Sequence, residues 1–388
     1  MRQLAEKESF NLVQKTDEAG KIAGFYGFSA VLPPKVTQAE INATKDIDPT
    51  WGADEKAALL REFSEARGNS LPSPLMLFMQ RPFPGTNERK KRDRLEYELT
   101  IIGSHRSVSE CLIIQATKAI IENAGWKNIS VRINSLGNKD SVADFERKMG
   151  NFIRKRMEDF PVELRQLLKK DPFTLTKDKD PKYNEWRECI PQSVDCLSEQ
   201  SRLHLKETLE FMETIGVPYI FDSSLIGDIK MSSEIVFEIV SNDGEVLARG
   251  SRWNRLSRRL QFKKEVPSVS VTINAKALKV PKISSISKTK PNFYLIQFGP
   301  EAKMKSFIAL EELRKSGIAV NHSLGKDKLM NQMYSVEQSK VPYIILIGQK
   351  EAIDNVAVIR NSTTRAQHIV PLKEIGEFIK KSPLFKFK

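Results

Sequence analysis

The stretch Glu234-Ile235-Val236-Phe237-Glu238-Ile239-Val240 decides the fold of this chain. It is an apolar, β-branched run, and the turn residues Ser241-Asn242-Asp243-Gly244 follow it directly. Residues 245–250 return as a second strand, so the pattern is that of a β-hairpin. With the segment 268–278 that follows, this hairpin predicts a large antiparallel sheet that forms the floor of a pocket.

Outward from the hairpin, the chain shows further strand and helix patterns. On the N-terminal side these are strands at 71–80, 95–103 and 131–135 and a helix at 107–123. Residues 138–216 are polar, helical in pattern and punctuated by prolines, which indicates an insertion seated on the main sheet. Beyond a polar linker at 279–291, short strands alternate with helices, as is typical of a compact α/β domain.

Length and composition limit the classes of protein to which the chain can belong. At 388 residues, with 40% hydrophobic and 29% charged residues, it is expected to form two globular domains plus an insertion. No apolar run approaches the ~20 residues that span a bilayer. The acidic N-terminus does not match a signal peptide, so we expect a cytoplasmic protein without a membrane partner. Three cysteines and four scattered histidines lack ligand spacing, and no metal site is expected.

The net charge of +13 favours a polyanionic partner, although a lysine-rich solvated surface explains it equally well. One loop carries five candidate RNA-binding cations: Arg89, Lys90, Lys91, Arg92 and Arg94. A second group, interleaved with Trp253 and Phe262, consists of Arg249, Arg252, Arg255, Arg258 and Arg259. The second group either binds phosphates and stacks a base or forms a helix whose aromatic side chains face the core.

Several segments, in this order, resemble histidyl-tRNA synthetase, a class II aminoacyl-tRNA synthetase. Phe25-Tyr26-Gly27-Phe28, followed by Pro33, is similar to the neighbourhood of the family's motif 1. Residues 133–137 and 197–201 are similar to the borders of its helical insertion, and residues 341–348 and 356–367 to its anticodon-binding domain. The resemblance extends from about Lys21 to Lys381.

The resemblance implies an α+β fold. The expected parts are a class II synthetase-like antiparallel sheet flanked by helices, a helical insertion and a C-terminal α/β anticodon-binding-like domain. The implied boundaries are 1–136 and 223–280 for the synthetase-like core, 137–222 for the insertion, 281–291 for a linker and 292–388 for the anticodon-binding-like domain. Because motif 1 builds the family's dimer interface, a homodimer is also implied.

The chain departs from the family at positions that the family uses for catalysis. The family reads Leu-Val-Arg-Gly-Leu-Asp-Tyr-Tyr ahead of its Val-Phe-Glu strand, and its arginine faces the α-phosphate of ATP. Here Gly227 stands at the arginine, Lys230 at the aspartate, and Met231 and Ser232 at the tyrosines. Ala277 stands at the motif 3 arginine that lies against the triphosphate.

Motif 2 and the return strand leave two arginines as candidates for a residual ligand pocket. Gly85 stands where the ATP-binding arginine of motif 2 belongs, so Arg81 is a candidate for a displaced substitute. Arg252 survives where the family has Gly-Gly-Arg-Tyr-Asp, although a lone arginine at a strand end is more often a surface residue. The family's histidine-recognising Gln and Glu fall on Glu96 and Thr100.

These replacements predict a degenerate paralogue, a pseudoenzyme without catalytic residues. Adenylation needs fixed cations where charge develops on the α-phosphate, and losing one such group costs about 2.7 to 4 kcal/mol. The expected function is binding of tRNA or another structured RNA without a cofactor, and the loop 89–94 corresponds to one that approaches the tRNA acceptor end in the family. Two alternatives stay open: an active histidine-tRNA ligase that uses ATP and magnesium, and a non-catalytic regulatory subunit that acts through protein contacts.

Overall fold

The structure is a computed structural model, and it describes residues 10–13, 15–66, 74–82, 95–177, 180–274, 284–285, 291–326 and 328–385. The chain forms two compact units. The first consists of Met1–Leu12, Val31–Leu209 and Pro218–Val280, and the second of Val13–Ala30, Glu210–Val217 and Pro281–Lys388. Two short segments, 13–30 and 210–217, which the sequence assigned to the core and the insertion, thus group with the C-terminal part of the chain.

The framework of the first unit is an eight-stranded sheet, of which seven strands lie wholly in this unit. Its strands are β2 (Ser29–Val31), β3 (Leu75–Pro82), β4 (Leu95–Ile102), β5 (Ser130–Ser135), β6 (Tyr219–Phe221), β7 (Ser233–Val240), β8 (Val246–Arg252) and β9 (Ser268–Asn274). They lie in the order β2-β3-β4-β9-β8-β7-β5-β6. From β3 to β5 all neighbours are antiparallel, and β6 runs parallel to β5. The predicted hairpin is β7–β8, and Gly244 takes the positive φ that its turn requires.

The register gives this sheet one apolar and one polar face, because successive side chains on a strand point in opposite directions. On the apolar face, Leu99 pairs with Val271, and the helix Val108–Asn123 packs over β4 and β9. This helix is buried on almost all sides, and its buried residues include the polar Ser109, Glu110 and Gln115 as well as the apolar ones. On the other face, polar side chains follow one another across the strands, as described below.

The first unit contains further helices around the sheet. Near the start of the chain they are Gln38–Thr44, the 3₁₀ turn Pro49–Trp51 and Ala53–Ala66. The predicted insertion is helical: Lys139–Lys155, Val162–Lys170, Thr174–Lys177, Asn184–Arg187 and the start of Glu199–Thr214, with 3₁₀ turns at Pro181–Tyr183 and Ser193–Cys196. Its own apolar cluster includes Phe145, Met149 and Leu164. The short helix Asn254–Arg259 follows β8.

A five-stranded sheet forms the centre of the second unit. Its strands are β11 (Phe293–Gln297), β12 (Val320–His322), β13 (Tyr343–Ile347), β14 (Val356–Asn361) and β15 (Gln367–Pro371), in the order β12-β11-β13-β14-β15. The first three are parallel and the last two antiparallel. The helices are Glu18–Phe25, Pro300–Lys315, Leu329–Ser339, Gln349–Ile353 and Ile375–Lys381, with a 3₁₀ turn at Leu372–Glu374. A two-stranded ladder pairs β1 (Lys15–Thr16) with β10 (Ser284–Ser285).

The N-terminal segment of the second unit is anchored to the helix Pro300–Lys315. The buried Tyr26 hydroxyl donates to Glu311 Oε2 at 2.6 Å, and His322 Nε2 lies 3.0 Å from the Tyr26 carbonyl oxygen. Phe211 meets Phe307 edge to face at 5.4 Å. These contacts explain why the segments 13–30 and 210–217 group with the C-terminal residues. Within the described ranges, no helix has the length and apolar character to cross a membrane.

Candidate functional site: the polar face of the central sheet

A buried group of five charged side chains, here called the Arg81 cluster, occupies one end of the polar face. It consists of Arg81 on β3, Glu96 and Glu98 on β4, and Glu55 and Lys56 on the helix Ala53–Ala66. Arg81 Nε lies 3.3 Å from Glu96 Oε2, and Arg81 Nη2 lies 2.8 Å from Glu98 Oε2. Glu55 also pairs with Arg81, and Lys56 Nζ lies 3.1 Å from Glu98 Oε1. Three carboxylates therefore surround two cations.

The electrostatics of the Arg81 cluster favour retention of a proton. Burial raises the pKa of Glu96 to about 7, although Arg81 opposes this effect. Burial also raises the pKa of Glu55. For Glu98, burial alone would raise the pKa, but Arg81 and Lys56 together lower it. The cluster is consequently neutral or negative near neutral pH, and it offers a phosphate no uncompensated cation.

Two loops that cover the polar face are tied to each other. The Asp48 amide donates to Asp228 Oδ2 at 2.9 Å, and Lys230 pairs with Asp46. The Ile229 carbonyl accepts a 2.5 Å hydrogen bond from Arg255 Nη1, on the helix Asn254–Arg259. Lys230, which the resemblance predicts to stand at the family's aspartate, thus links the two loops through its ion pair with Asp46.

Gly227, which the resemblance predicts to stand at the family's arginine, leaves no room for a side chain. A Cβ atom there would lie 2.8 Å from Ser232 Oγ, 3.3 Å from Val236 Cγ1 and 3.4 Å from Trp51 Cη2. Its φ of +59° also disfavours any residue with a Cβ. The neighbouring Met231 is fully buried in the apolar cluster beneath the loop. Packing therefore fills the space next to Gly227, into which the resemblance predicts that the family's arginine projects.

Ser232, which the resemblance predicts to stand at the family's second tyrosine, is fully buried, and its hydroxyl makes no hydrogen bond within the described ranges.

The other end of the polar face, on β8, β7 and β5, carries a second set of paired charges. Arg249 Nε donates to Glu238 Oε1 at 2.9 Å, and Arg132 Nη1 donates to Glu238 Oε2 at 3.0 Å. Arg132 also bonds Asp222, with its Nε at 2.8 Å from Oδ2. Every cation that the described structure places in these two groups is matched by at least one carboxylate.

Arg252 lies on the opposite, apolar face of the sheet and so is not brought together with Arg81. It is almost completely buried, and its Nε and Nη2 each donate to a carboxylate oxygen of Glu110 at 2.7 Å. Its Nη1 donates to the Ser104 carbonyl at 2.6 Å. Burial would raise the pKa of Glu110, but Arg252 and His204 lower it to about 2. Arg252 thus joins β8 to the helix Val108–Asn123.

The remaining arginines of the second basic group are also paired with acidic residues. Arg255 Nη2 lies 3.4 Å from Glu146 Oε1, Arg258 Nε lies 2.7 Å from Glu265 Oε2, and Arg259 pairs with Asp46. Within this group the aromatic side chains pack inward: Trp253 is buried and donates from Nε1 to Ser270 Oγ, and Phe262 packs on the apolar cluster. The geometry favours the alternative of a helix whose aromatics face the core.

The rest of the predicted site residues lie outside the described ranges. These are Gly85, Ala277 and the loop Arg89, Lys90, Lys91, Arg92 and Arg94. Their assignments, and the residual ligand pocket at Arg81 and Arg252, stay predictions. In the described part of the chain, no group of three or more His, Cys, Asp or Glu side chains is arranged to hold a metal ion.

Sequence reasoning missed Glu55 and Lys56, because residues 35–70 showed no recognisable chemistry. A signal was nevertheless present. Lys56 lies on the same buried face of its helix as Ala53, Ala57 and Leu60. A lysine on such a stripe needs a buried carboxylate partner, and Glu98 supplies it.

Comparison with known proteins agrees with this architecture. The anticodon binding domain family matches residues 294–382. The histidine-tRNA ligase of Staphylococcus saprophyticus is 23% identical over 363 residues, which cover 89% of this chain and 86% of the relative. That of Bacillus velezensis is 24% identical over 341 residues, covering 84% and 79%. The apo histidyl-tRNA synthetase structure from S. aureus aligns over 93% of both chains with a TM-score of 0.52 and 17% identity.

The mixed sheet flanked by helices and the C-terminal anticodon binding domain define a class II synthetase-like protein, as the sequence predicted. More particularly, the chain is similar to histidine-tRNA ligases over most of its length, at 23% to 24% identity.

Proposed function

We propose that this protein binds tRNA or another structured RNA and does not activate histidine. The proposal that histidine is not activated rests on one observation: the cations on the polar face are paired with carboxylates. A triphosphate needs cations that are free to face it, because the transition state of adenylation is stabilised by fixed positive charge. In the described structure, Arg81 is surrounded by Glu55, Glu96 and Glu98.

The packing at Gly227 supports the same conclusion. A catalytic arginine at this position would need both a different backbone conformation and the space that Trp51 and Val236 now fill. The proposed loss of histidine activation therefore involves the shape of the pocket as well as the replacement of a single side chain.

The RNA-binding part rests on the second unit and on charge. The anticodon binding domain spans residues 294–382, and a protein with a net charge of +13 gains affinity for phosphates by releasing counterions. The loop Arg89, Lys90, Lys91, Arg92 and Arg94 would add a second contact.

An assay of histidine-dependent exchange between pyrophosphate and ATP tests the catalytic part. We expect no exchange above a control without enzyme. Clear exchange would contradict the proposal and revive the ligase alternative, with its need for ATP and magnesium.

A titration with tRNA at three salt concentrations tests the RNA part. Replacing the five loop cations by alanine should flatten the dependence of log affinity on log salt by several units. The matched control replaces five exposed cations of the insertion by alanine: Arg154, Lys155, Arg156, Lys169 and Lys170. If the intact protein binds no tRNA at low salt, the RNA part fails.

A further inference from the structure

The two faces of the five-stranded sheet in the second unit are covered to different extents. On one face, Ile345 of β13 and Ile359 of β14 pair with each other and are fully buried. His368 of β15 pairs with Ile359 and contacts the Phe378 ring of the last helix. Helices therefore cover this face from the parallel strands to the last antiparallel strand.

The opposite face is covered by a helix only at its parallel strands. Ile296 of β11 is buried beneath the helix Leu329–Ser339. Leu346 of β13 pairs with Ile296 and is partly buried. Val358 of β14 pairs with Leu346, and Ile369 of β15 pairs with Val358 and is 72% exposed. One row of apolar side chains thus runs from beneath the helix to solvent.

The uncovered part of this face is here called the β14–β15 face. The strand register places six side chains on it: Val356, Val358, Arg360, Gln367, Ile369 and Pro371. Antiparallel strands that meet water on one side usually carry polar residues there. Three of these six residues are β-branched and apolar instead, which is typical of a contact surface.

The dimensions of the β14–β15 face match those of one helix. Two neighbouring strands span about 10 Å, and an α-helix with its side chains is about 10 to 12 Å wide. Strands of six and five residues are about 17 to 20 Å long, a length that about 12 helical residues cover. The helix Leu329–Ser339 on the neighbouring strands has 11 residues. One further helix of this length would complete the layer.

One end of the β14–β15 face carries a positive charge that the chain does not compensate. Neither Arg360 nor Arg365, in the loop between the two strands, forms an ion pair with a carboxylate among the described residues. In the same unit Arg314, Lys315 and Lys381 each pair with a glutamate. The face itself has no acidic side chain. It therefore complements acidic residues at the C-terminal end of a helix, where the helix dipole is also negative.

We propose that the β14–β15 face binds an amphipathic helix of an acidic protein partner. The apolar stripe of that helix packs on Val358 and Ile369, and its acidic end meets Arg360 and Arg365. Packing of an apolar stripe into a matching surface is a common mode of helix recognition. The proposal goes beyond the proposed function, because it concerns a protein partner and requires no RNA.

The composition of the face distinguishes this partner from two others. Binding of unpaired bases relies on aromatic side chains for stacking, and none of the six side chains of the face is aromatic. A second copy of this chain, with its net charge of +13, is a poorer complement to two arginines than an acidic protein. Both nevertheless have defined outcomes in the test.

The test uses the full chain and a labelled synthetic peptide of about 14 residues, long enough to form a helix. The peptide carries leucines at i, i+3, i+4 and i+7 and glutamates in its last turn, and a matched peptide has lysines in place of the glutamates. Fluorescence anisotropy should show saturable binding of the acidic peptide below about 1 mM. The lysine peptide should bind roughly 5-fold more weakly. Absence of saturable binding of the acidic peptide would overturn the proposal.

Variants locate the contact. Ile369→Glu should weaken binding of the acidic peptide by roughly 10-fold or more, because it places a charge in an apolar contact. Arg360→Gln should weaken it by roughly 1.5-fold to 5-fold and leave binding of the lysine peptide no weaker. The matched control is Leu384→Glu, an exposed apolar residue whose carbonyl accepts from the Tyr343 hydroxyl on the other face of the sheet. Equal affinity of the Ile369→Glu and Leu384→Glu variants would contradict the proposal.

Two further measurements identify the other occupants. If Ile369→Glu halves the mass in light scattering, a second copy covers the face. If Ile369→Glu lowers the affinity for tRNA, the face contacts RNA, and the proposed function stands without this inference. Either result overturns the proposal. Ile369→Gln, which removes apolar surface without adding a charge, replaces Ile369→Glu if urea unfolding shows that the charged variant does not fold.

Discussion

At the scale of single residues, the close packing around Gly227 gives a prediction about stability. We expect Gly227→Arg to lower the free energy of unfolding by roughly 2 to 5 kcal/mol, from the positive φ and from overpacking against Trp51 and Val236. Gly244→Arg is the matched control, because Gly244 also has a positive φ but nothing within 4 Å of its Cβ position. Urea unfolding of both variants measures the difference. Equal destabilisation would show that the space around Gly227 is not filled.

The pKa of Glu96 gives a second prediction at this scale, which concerns the dependence of stability on pH. Its pKa in the folded protein, about 7, lies above the ordinary value of 4.5, so the folded state holds the proton more tightly than the unfolded state. Stability should therefore fall as the pH rises from about 4.5 to 7, by at most on the order of 3 kcal/mol. Urea unfolding at pH 5 and pH 8 should show this loss in the natural protein and a smaller one in Glu96→Gln. The exposed Glu245→Gln is the control, and an unchanged pH dependence in Glu96→Gln would contradict the assignment.

At the scale of elements, the buried ion pair between Glu110 and Arg252 joins the helix Val108–Asn123 to β8. Glu110→Ala would leave a buried guanidinium without its carboxylate, and we expect a loss of about 3 to 5 kcal/mol in the free energy of unfolding. Glu265→Ala breaks the half-exposed pair with Arg258 and should cost less than about 1 kcal/mol. Adding Arg252→Leu to Glu110→Ala should recover part of the loss. A double variant no more stable than Glu110→Ala would show that the pair itself is not responsible.

Most elements could be predicted from the sequence, because their signals are local. The hairpin β7–β8 follows from its apolar run and the Gly244 turn, and the helix Val108–Asn123 lies within the predicted range 107–123. The short helix Gln38–Thr44 was missed, since it has too few residues to show a period.

The Arg81 cluster could not be predicted from local patterns. Its members come from three elements, and only the folded sheet register puts Glu96 opposite Arg81. The resemblance marked Arg81 and Glu96 separately, as a displaced arginine and a replaced glutamine. It did not show that the two neutralise each other.

At the scale of the whole molecule, the division into units decides which experiments test RNA binding without disturbing the fold. Deletion of residues 291–388 would remove the partners of Tyr26 and Phe211, which belong to the same unit. Point variants in the full chain are therefore better tests of RNA binding than a truncated protein.

The homodimer implied by the motif 1 resemblance is the last prediction. β2 lies at the edge of the eight-stranded sheet, and edge strands in native proteins are usually covered or protected. Leu32, directly after β2, is 56% exposed, and Ile41 on the following helix is also exposed. Residues 11–13 already hydrogen-bond to β2, so we expect the second copy to pack against these exposed apolar side chains across a two-fold axis and not to extend the sheet.

Light scattering at micromolar concentration should report twice the mass of the chain. Leu32→Lys together with Ile41→Lys should shift the protein toward monomer, because charges would lie in an apolar contact. Val162→Lys, at an equally exposed apolar position in the insertion, should leave the mass unchanged. A natural protein with the mass of a single chain would contradict the prediction of a dimer. A dimer unaffected by the double variant would mean that a different surface pairs, since a buried lysine at each of two positions is too costly to be tolerated in the contact.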